Sequence, residues 1–97
     1  MPTYVTLMRF TDQGIRTVKD TVTRTRENIA AAQKAGGKTI AAYYTQGRYD
    51  IVSITEAPSE ETAMAFLFGM NKAGNVRTET LRAYSVDEME SILKKVP

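Results

Sequence analysis

The middle of the chain leaves little topological freedom. Two runs rich in β-branched and aromatic residues, 38–45 and 49–56, are separated only by Gln46-Gly47-Arg48. A connection this short makes the two strands an antiparallel hairpin. Ile40, Tyr43 and Tyr44 mark the first strand, and Ile51, Val52 and Ile54 the second. A helical signal lies on either side of this hairpin, and a further strand lies beyond each helix.

Residues 3–10 read as the first strand, ended by the turn residues Thr11-Asp12-Gln13-Gly14. Val5 and Leu7 share one face of it, and Tyr4, Met8 and Phe10 the other. A strand apolar on both faces is usually covered on both. From about residue 15 to 35 the spacing of Ile15, Val18, Val22, Thr25, Ile29 and Ala32 predicts one long helix, stopped by Gly36-Gly37. Its opposite face carries Arg16, Lys19, Arg24, Arg26 and Glu27. A second helix opens at Pro58-Ser59-Glu60-Glu61, with Ser59 as cap, and ends at Gly74. Ala63, Phe66, Leu67 and Met70 form its main apolar face, while Met64 and Phe68 form a second stripe that predicts cover on another side. Residues 76–84 are the last strand. Ser85 and Glu88 have capping-box spacing ahead of a short helix with Met89, Ile92, Leu93 and Val96 on one face.

This order is β-α-β followed by β-α-β in a single domain over residues 1–97. Right-handed crossovers give an α+β, ferredoxin-like βαββαβ fold with a C-terminal helix: a four-stranded antiparallel sheet, helices on one face, the other face open. The open face is partly apolar and aromatic, so it calls for cover. Two sheets packed face to face, giving a homodimeric α+β barrel, is one arrangement. A monomer whose C-terminal helix folds under the sheet is the other.

Composition removes several chemistries. The chain has no Cys and no His. Disulfides, thiolate metal sites, cysteine nucleophiles, histidine acid–base catalysis and histidine-ligated zinc or haem are therefore excluded for these residues. No metal site can be argued, because Glu60-Glu61 and Asp87-Glu88 read as helix-start acids. No cofactor is called for. There is no membrane-span stretch and no basic-then-apolar start, so a cytoplasmic protein is expected. Residues 1–48 carry eight Lys/Arg and three Asp/Glu, a net of +5, and residues 49–97 carry five and eight, a net of −3, giving the chain its +2. A basic half beside an acidic half favours self-association or an anionic ligand, or is simply solvated surface. The basic helix face is the sole hint of nucleic acid, and no aromatic RNA-binding motif accompanies it.

The turn Gly47-Arg48-Tyr49-Asp50 resembles the signature of the GYD family. Thr11-Asp12-Gln13-Gly14-Ile15, Gly36-Gly37-Lys38, Glu56-Ala57-Pro58 and the run from Gly74-Asn75-Val76 to Arg82-Ala83 resemble the family in the same order. The resemblance implies the fold above, within the dimeric α+β barrels, and no particular activity. Wider relatives of that barrel group include cofactor-free monooxygenases, small-molecule isomerases and haem-binding enzymes. This chain departs from several in having neither His nor Trp.

Asp50 is the sharpest candidate for chemistry: a carboxylate beside a glycine turn is placed to act as a general base, or to accept backbone hydrogen bonds and pin the turn. Arg77 and Glu79 share one face of the last strand and suit a polar or anionic ligand, with Arg9 as a further anion contact; Arg82 lies on the other face. Tyr49, Arg48 and Tyr44 complete the candidate ligand-binding set, for a small organic molecule. Three functions follow: a small-molecule-binding protein, a cofactor-independent isomerase or oxygenase using Asp50, and a dimeric interaction module.

Overall fold

The computed structural model describes all residues, 1–97. The elements run β1 (Thr3–Phe10), α1 (Asp12–Arg16), a 3-10 turn (Val18–Asp20), α2 (Thr21–Lys34), β2 (Lys38–Tyr44), β3 (Ile51–Glu56), α3 (Glu60–Ala73), β4 (Val76–Ala83) and α4 (Val86–Leu93). The sheet is antiparallel throughout, in the order β2-β3-β1-β4. This is the ferredoxin-like α+β arrangement the hairpin and its flanking helices dictate.

The local stops and starts follow their chemistry. The Ser59 side chain accepts from the Thr62 N–H at the start of α3, and Ser85 and Glu88 close a reciprocal capping box on α4. The region expected as one helix over residues 15–35 is different. It breaks at Thr17 into α1, the 3-10 turn and α2. Two forces account for the break. Thr17 and Val18, at the break itself, are adjacent β-branched residues and weaken helix continuity there. The Arg24 guanidinium then stabilises the open end of α1, donating to the Thr17 carbonyl (3.1 Å), the Thr17 hydroxyl (3.0 Å) and the Gly14 carbonyl (3.4 Å).

Strand register divides the residues between two faces. Thr6, Met8, Ile51, Ser53, Thr55 and Thr80 lie on the face toward α2 and α3. On the open face, Ala41, Ile54, Val5 and Leu81 form one row across the sheet, and Tyr43, Val52, Leu7 and Glu79 the next. A β-bulge between Thr39 and Ala41 absorbs Ile40 and resets the alternation of β2. That shift sends Tyr43 to the open face and Tyr44 to the helices.

The core is thin. Six of 97 residues are buried, among them Met8, Ile51 and Ala57 with the hydroxyl residues Thr6 and Ser53. The accessible surface is 6967 Å², against about 5,550 Å² for a compact monomer of this mass. The surplus is about 1,400 Å². The radius of gyration is 14.6 Å, against ~13 Å for a compact 100-residue domain. Part of the excess is α4, which leaves the body with Val86 87% and Leu93 56% exposed. It does not cover the open sheet face, where Tyr43 is 66% and Leu81 50% exposed. No helix is long and apolar enough to cross a membrane.

Candidate functional site

The hairpin turn builds one corner of the open face. Gly47 has φ +97° with open space around its α-carbon, so backbone conformation and not crowding selects glycine there. Tyr49 follows and reaches from the hairpin across to β4, where its hydroxyl donates to Glu79 Oε2 at 2.8 Å. The Arg9 guanidinium lies 5.1 Å from the centre of the Tyr49 ring, and Arg48 lies 5.9 Å from it. Arg77 stands directly opposite Arg9 in the β1–β4 register. Like charges directly opposite on neighbouring strands cost stability. The single carboxylate lining the corner, Glu79, has one oxygen committed to Tyr49. The result is an electropositive hollow of about 180 Å³ lined by Leu7, Arg9, Tyr49, Arg77, Thr78 and Glu79.

Five of the residues picked out from sequence therefore meet: Arg9, Arg48, Tyr49, Arg77 and Glu79. Three stand apart from them. Tyr44 points to the helix face, its hydroxyl 3.2 Å from Thr21 Oγ1 and 2.8 Å from Thr25 Oγ1. Arg82 lies on the helix side, its guanidinium 4.4 Å from the Tyr84 ring centre and 5.8 Å from that of Tyr4. The Asp50 carboxylate is turned to β1, where Oδ2 accepts the Phe10 N–H at 2.8 Å. The Asp50 N–H donates to the Met8 carbonyl (2.8 Å), and its carbonyl accepts the Thr45 N–H (2.9 Å). Asp50 thus ties the turn to the end of β1 through side chain and backbone together.

A second hollow lies between α2, α3 and the sheet. Its apolar part, with Tyr4, Met8, Phe66, Leu67 and Met70 in the walls, encloses about 70 Å³, well below the ~300–1,000 Å³ of ligand pockets. The Tyr4 hydroxyl is buried there without a hydrogen-bond partner. The apolar part opens into a wider, more polar part of about 270 Å³ that Thr21, Arg24, Asn28 and Asn75 help to line, and at ~10–15 Å³ per water the gap has room for several waters.

Sequence reading did not foresee how the glycine-bearing corners interlock. Gly14 is buried, and a β-carbon on it would overlap the Asn75 carbonyl oxygen. Thr11 donates its N–H to that same oxygen (3.1 Å), and Gln13 Nε2 donates to the Ala73 carbonyl (3.1 Å) and Asn75 Oδ1 (2.9 Å). The blocks around residues 11–15 and 74–76 therefore form one latch between the β1–α1 and α3–β4 corners. The block at Gly37 meets the Glu56 carbonyl in the same way, a β-carbon there falling 2.8 Å from it. These blocks hold the frame on which the Tyr49 corner is mounted.

Comparison with known proteins agrees with this frame. The GYD domain family matches residues 4–93. A protein from Thermus thermophilus, named "Glutamine synthetase and cystathionine beta-lyase binding protein", is 32% identical over 95 residues, covering 97% of this chain and 100% of that protein. The chain belongs to the GYD family.

Proposed function

We propose that this GYD-family chain is a self-associating protein-binding module, and that its working unit is a homodimer joined through the open sheet faces. The observation that carries this reading is the unspent apolar surface. Val5, Leu7, Tyr43, Val52, Ile54 and Leu81 form a continuous aliphatic and aromatic field on a face with no helix over it. The ~1,400 Å² of surplus surface, part of it on α4, leaves room for the roughly 800 Å² that one partner contributes to a standard interface. Face-to-face packing of two sheets is the arrangement that buries such a field, as in sandwich cores.

The choice of an external partner rests on the whole-length relative. Its printed name describes binding to glutamine synthetase and cystathionine beta-lyase. By likeness, we take the partner of this chain to be an enzyme of that kind. The test is direct: the assembled protein is immobilised, and purified glutamine synthetase and cystathionine β-lyase are passed over it separately. Saturable binding of either at micromolar concentration or below supports the reading. No binding of either by a correctly assembled dimer overturns it.

A second reading has its own support in the Arg9–Arg77 pair. Two guanidinium groups on facing strands, with Tyr49 and Glu79 beside them, suit a small organic molecule bearing a carboxylate. At ~180 Å³ the hollow is small for an organic ligand on one chain alone. A second sheet across the open face would roof it. Native mass spectrometry of the freshly purified protein tests this: a dimer with retained mass supports a ligand, and a dimer that stays bare after titration with small carboxylates removes it. Asp50 as a general base is the third reading. It requires a substrate at a carboxylate now engaged with Phe10, and Asp50→Asn separates it by abolishing turnover while leaving the fold intact.

A further inference from the structure

Two apolar helical stripes in this chain are left about half open or more, Met89 being the most covered at 44% exposed, and they match. On α3, Met64 and Phe68 stand one helical turn apart and are 56% and 68% exposed. On α4, Met89 and Leu93 have the same spacing and extend the line begun by Val86. Equal spacing of four residues means equal rise, about 6 Å along either axis. The ends of the helices carry opposite charges. α3 begins with Glu60-Glu61 and has Lys72 in its last turn. α4 has Asp87 and Glu88 in its first turn and Lys94-Lys95 just beyond its last.

The connectivity decides whether these stripes meet within one chain. β4 follows α3 through a short corner and packs back along it, so the end of β4 lies beside the start of α3. Only Tyr84 and Ser85 separate β4 from α4. If α4 folded back over its own α3, the two helices would run parallel. Asp87 and Glu88 would then lie against Glu60 and Glu61, with both positive helix ends together. That arrangement is repulsive at both levels. The antiparallel arrangement reverses each sign: Lys94-Lys95 beside Glu60-Glu61, Asp87-Glu88 beside Lys72, helix dipoles opposed. It sets Leu93 against Met64 and Met89 against Phe68. This order is available only from another molecule.

We propose that α4 of one chain lies antiparallel on the Met64–Phe68 stripe of α3 in a second copy of this chain. The contact is separate from the open sheet face, because α3 covers the opposite face. It uses the acidic-to-basic ordering that each helix already has from its own dipole, and it accounts for α4 standing away from its own body. Reciprocal exchange between two copies gives a closed, two-fold contact.

The chain's lack of cysteine makes the test unambiguous. Met64→Cys and Leu93→Cys are made as separate single variants, mixed and oxidised. The expected product is a disulfide-linked heterodimer, at least fivefold more abundant than the homodimers formed by either variant alone. The Met64→Cys/Leu93→Cys double variant is expected to run as a covalent dimer. An intrachain-crosslinked monomer in the double variant, or a mixed yield no higher than the single-variant controls, overturns the proposal. Lys94→Glu/Lys95→Glu, placed in the cysteine background, lowers the yield about fivefold or more, and Glu60→Lys/Glu61→Lys added to the Met64→Cys partner restores it. Failure of that restoration also counts against the antiparallel order. The thiols report this contact alone, whatever the sheet faces or an enzyme partner do.

Discussion

The two faces of the sheet are filled in the reverse of the usual order. Beneath the helices the strands present Thr6, Ser53, Thr55 and Thr80 among their apolar neighbours, with Thr6 and Ser53 buried. The face without helices presents Val5, Leu7, Val52, Ile54, Leu81 and Tyr43. A monomer would gain by burying the second set and solvating the first. The difference indicates where this sequence spends its hydrophobicity: the helix side mixes small hydroxyls with Met8 and Ile51, and most of the strands' aliphatic groups stand on the open face.

The largest effect is expected from breaking the open face. Val52→Lys places a charge at the centre of the aliphatic field. A dimer joined there should fall to monomer, with at least a 100-fold weaker self-association by sedimentation equilibrium, since an unpaired charge in a buried interface costs several kcal/mol. An unchanged dimer would assign self-association to another surface. On the helix side, Gly14→Ala should be severe for a different reason. Its β-carbon would overlap the Asn75 carbonyl, and overpacking against backbone costs roughly 1–3 kcal/mol or more, measurable as a lower urea midpoint.

Asp50 separates the roles at the edge of the open face. Asp50→Ala strands the Phe10 N–H and should cost about 1–3 kcal/mol in urea unfolding. Asp50→Asn keeps an acceptor oxygen and should cost less than half of that. Equal losses would show that charge, not hydrogen bonding, holds the turn. The contrast sharpens with Thr6→Val/Thr80→Val. These hydroxyls are 3.4 Å apart, a weak bond, and replacing both with isosteric apolar groups should change stability by under ~1 kcal/mol. A large loss there would mean the helix side depends on its hydroxyls after all.

The smallest effect concerns α4. The Ser85 backbone N–H, followed by its hydroxyl, holds the Glu88 carboxyl below the ordinary carboxylate range. A depressed folded pKa contributes stability above the unfolded value, and that contribution is lost as pH falls through the folded one. The α4 cap should therefore loosen only in acid. Far-UV circular dichroism from pH 7 to 3 should show a small loss of helix, absent in Glu88→Gln. The same loss in that variant would assign the transition to other carboxylates.

What the sequence disclosed was local. The hairpin, the Ser59 cap, the Ser85–Glu88 box and the Gly74 stop each depend on a few adjacent residues, and all are present, with the one difference that the hairpin connection is longer than expected and holds Tyr49 and Asp50 ahead of β3. The single helix expected over residues 15–35 starts earlier, at Asp12, and is interrupted at Thr17, because the break depends on Arg24 reaching back to Thr17 and Gly14. The tyrosines at 43 and 44 were legibly opposed, but which of them faces the helices depends on the bulge at Ile40, and nothing in the residues announces it. At the candidate corner, alternation paired Arg77 with Glu79 and put Arg82 elsewhere. The Tyr49–Glu79 bond joins residues 30 positions apart, beyond any local rule. The blocks that carried the family likeness were legible as motifs, while their meaning as latches appears only when residues 11–15 meet 74–76.

β2 is an edge strand, and its outward backbone is unpaired along the sheet. An even, regular edge is a template for adding strands from other molecules without limit. The bulge at Ile40 interrupts that edge near its middle, so an incoming strand would fall out of register partway along. A chain with so much uncovered sheet is thereby steered toward closed assemblies of defined size rather than toward fibres.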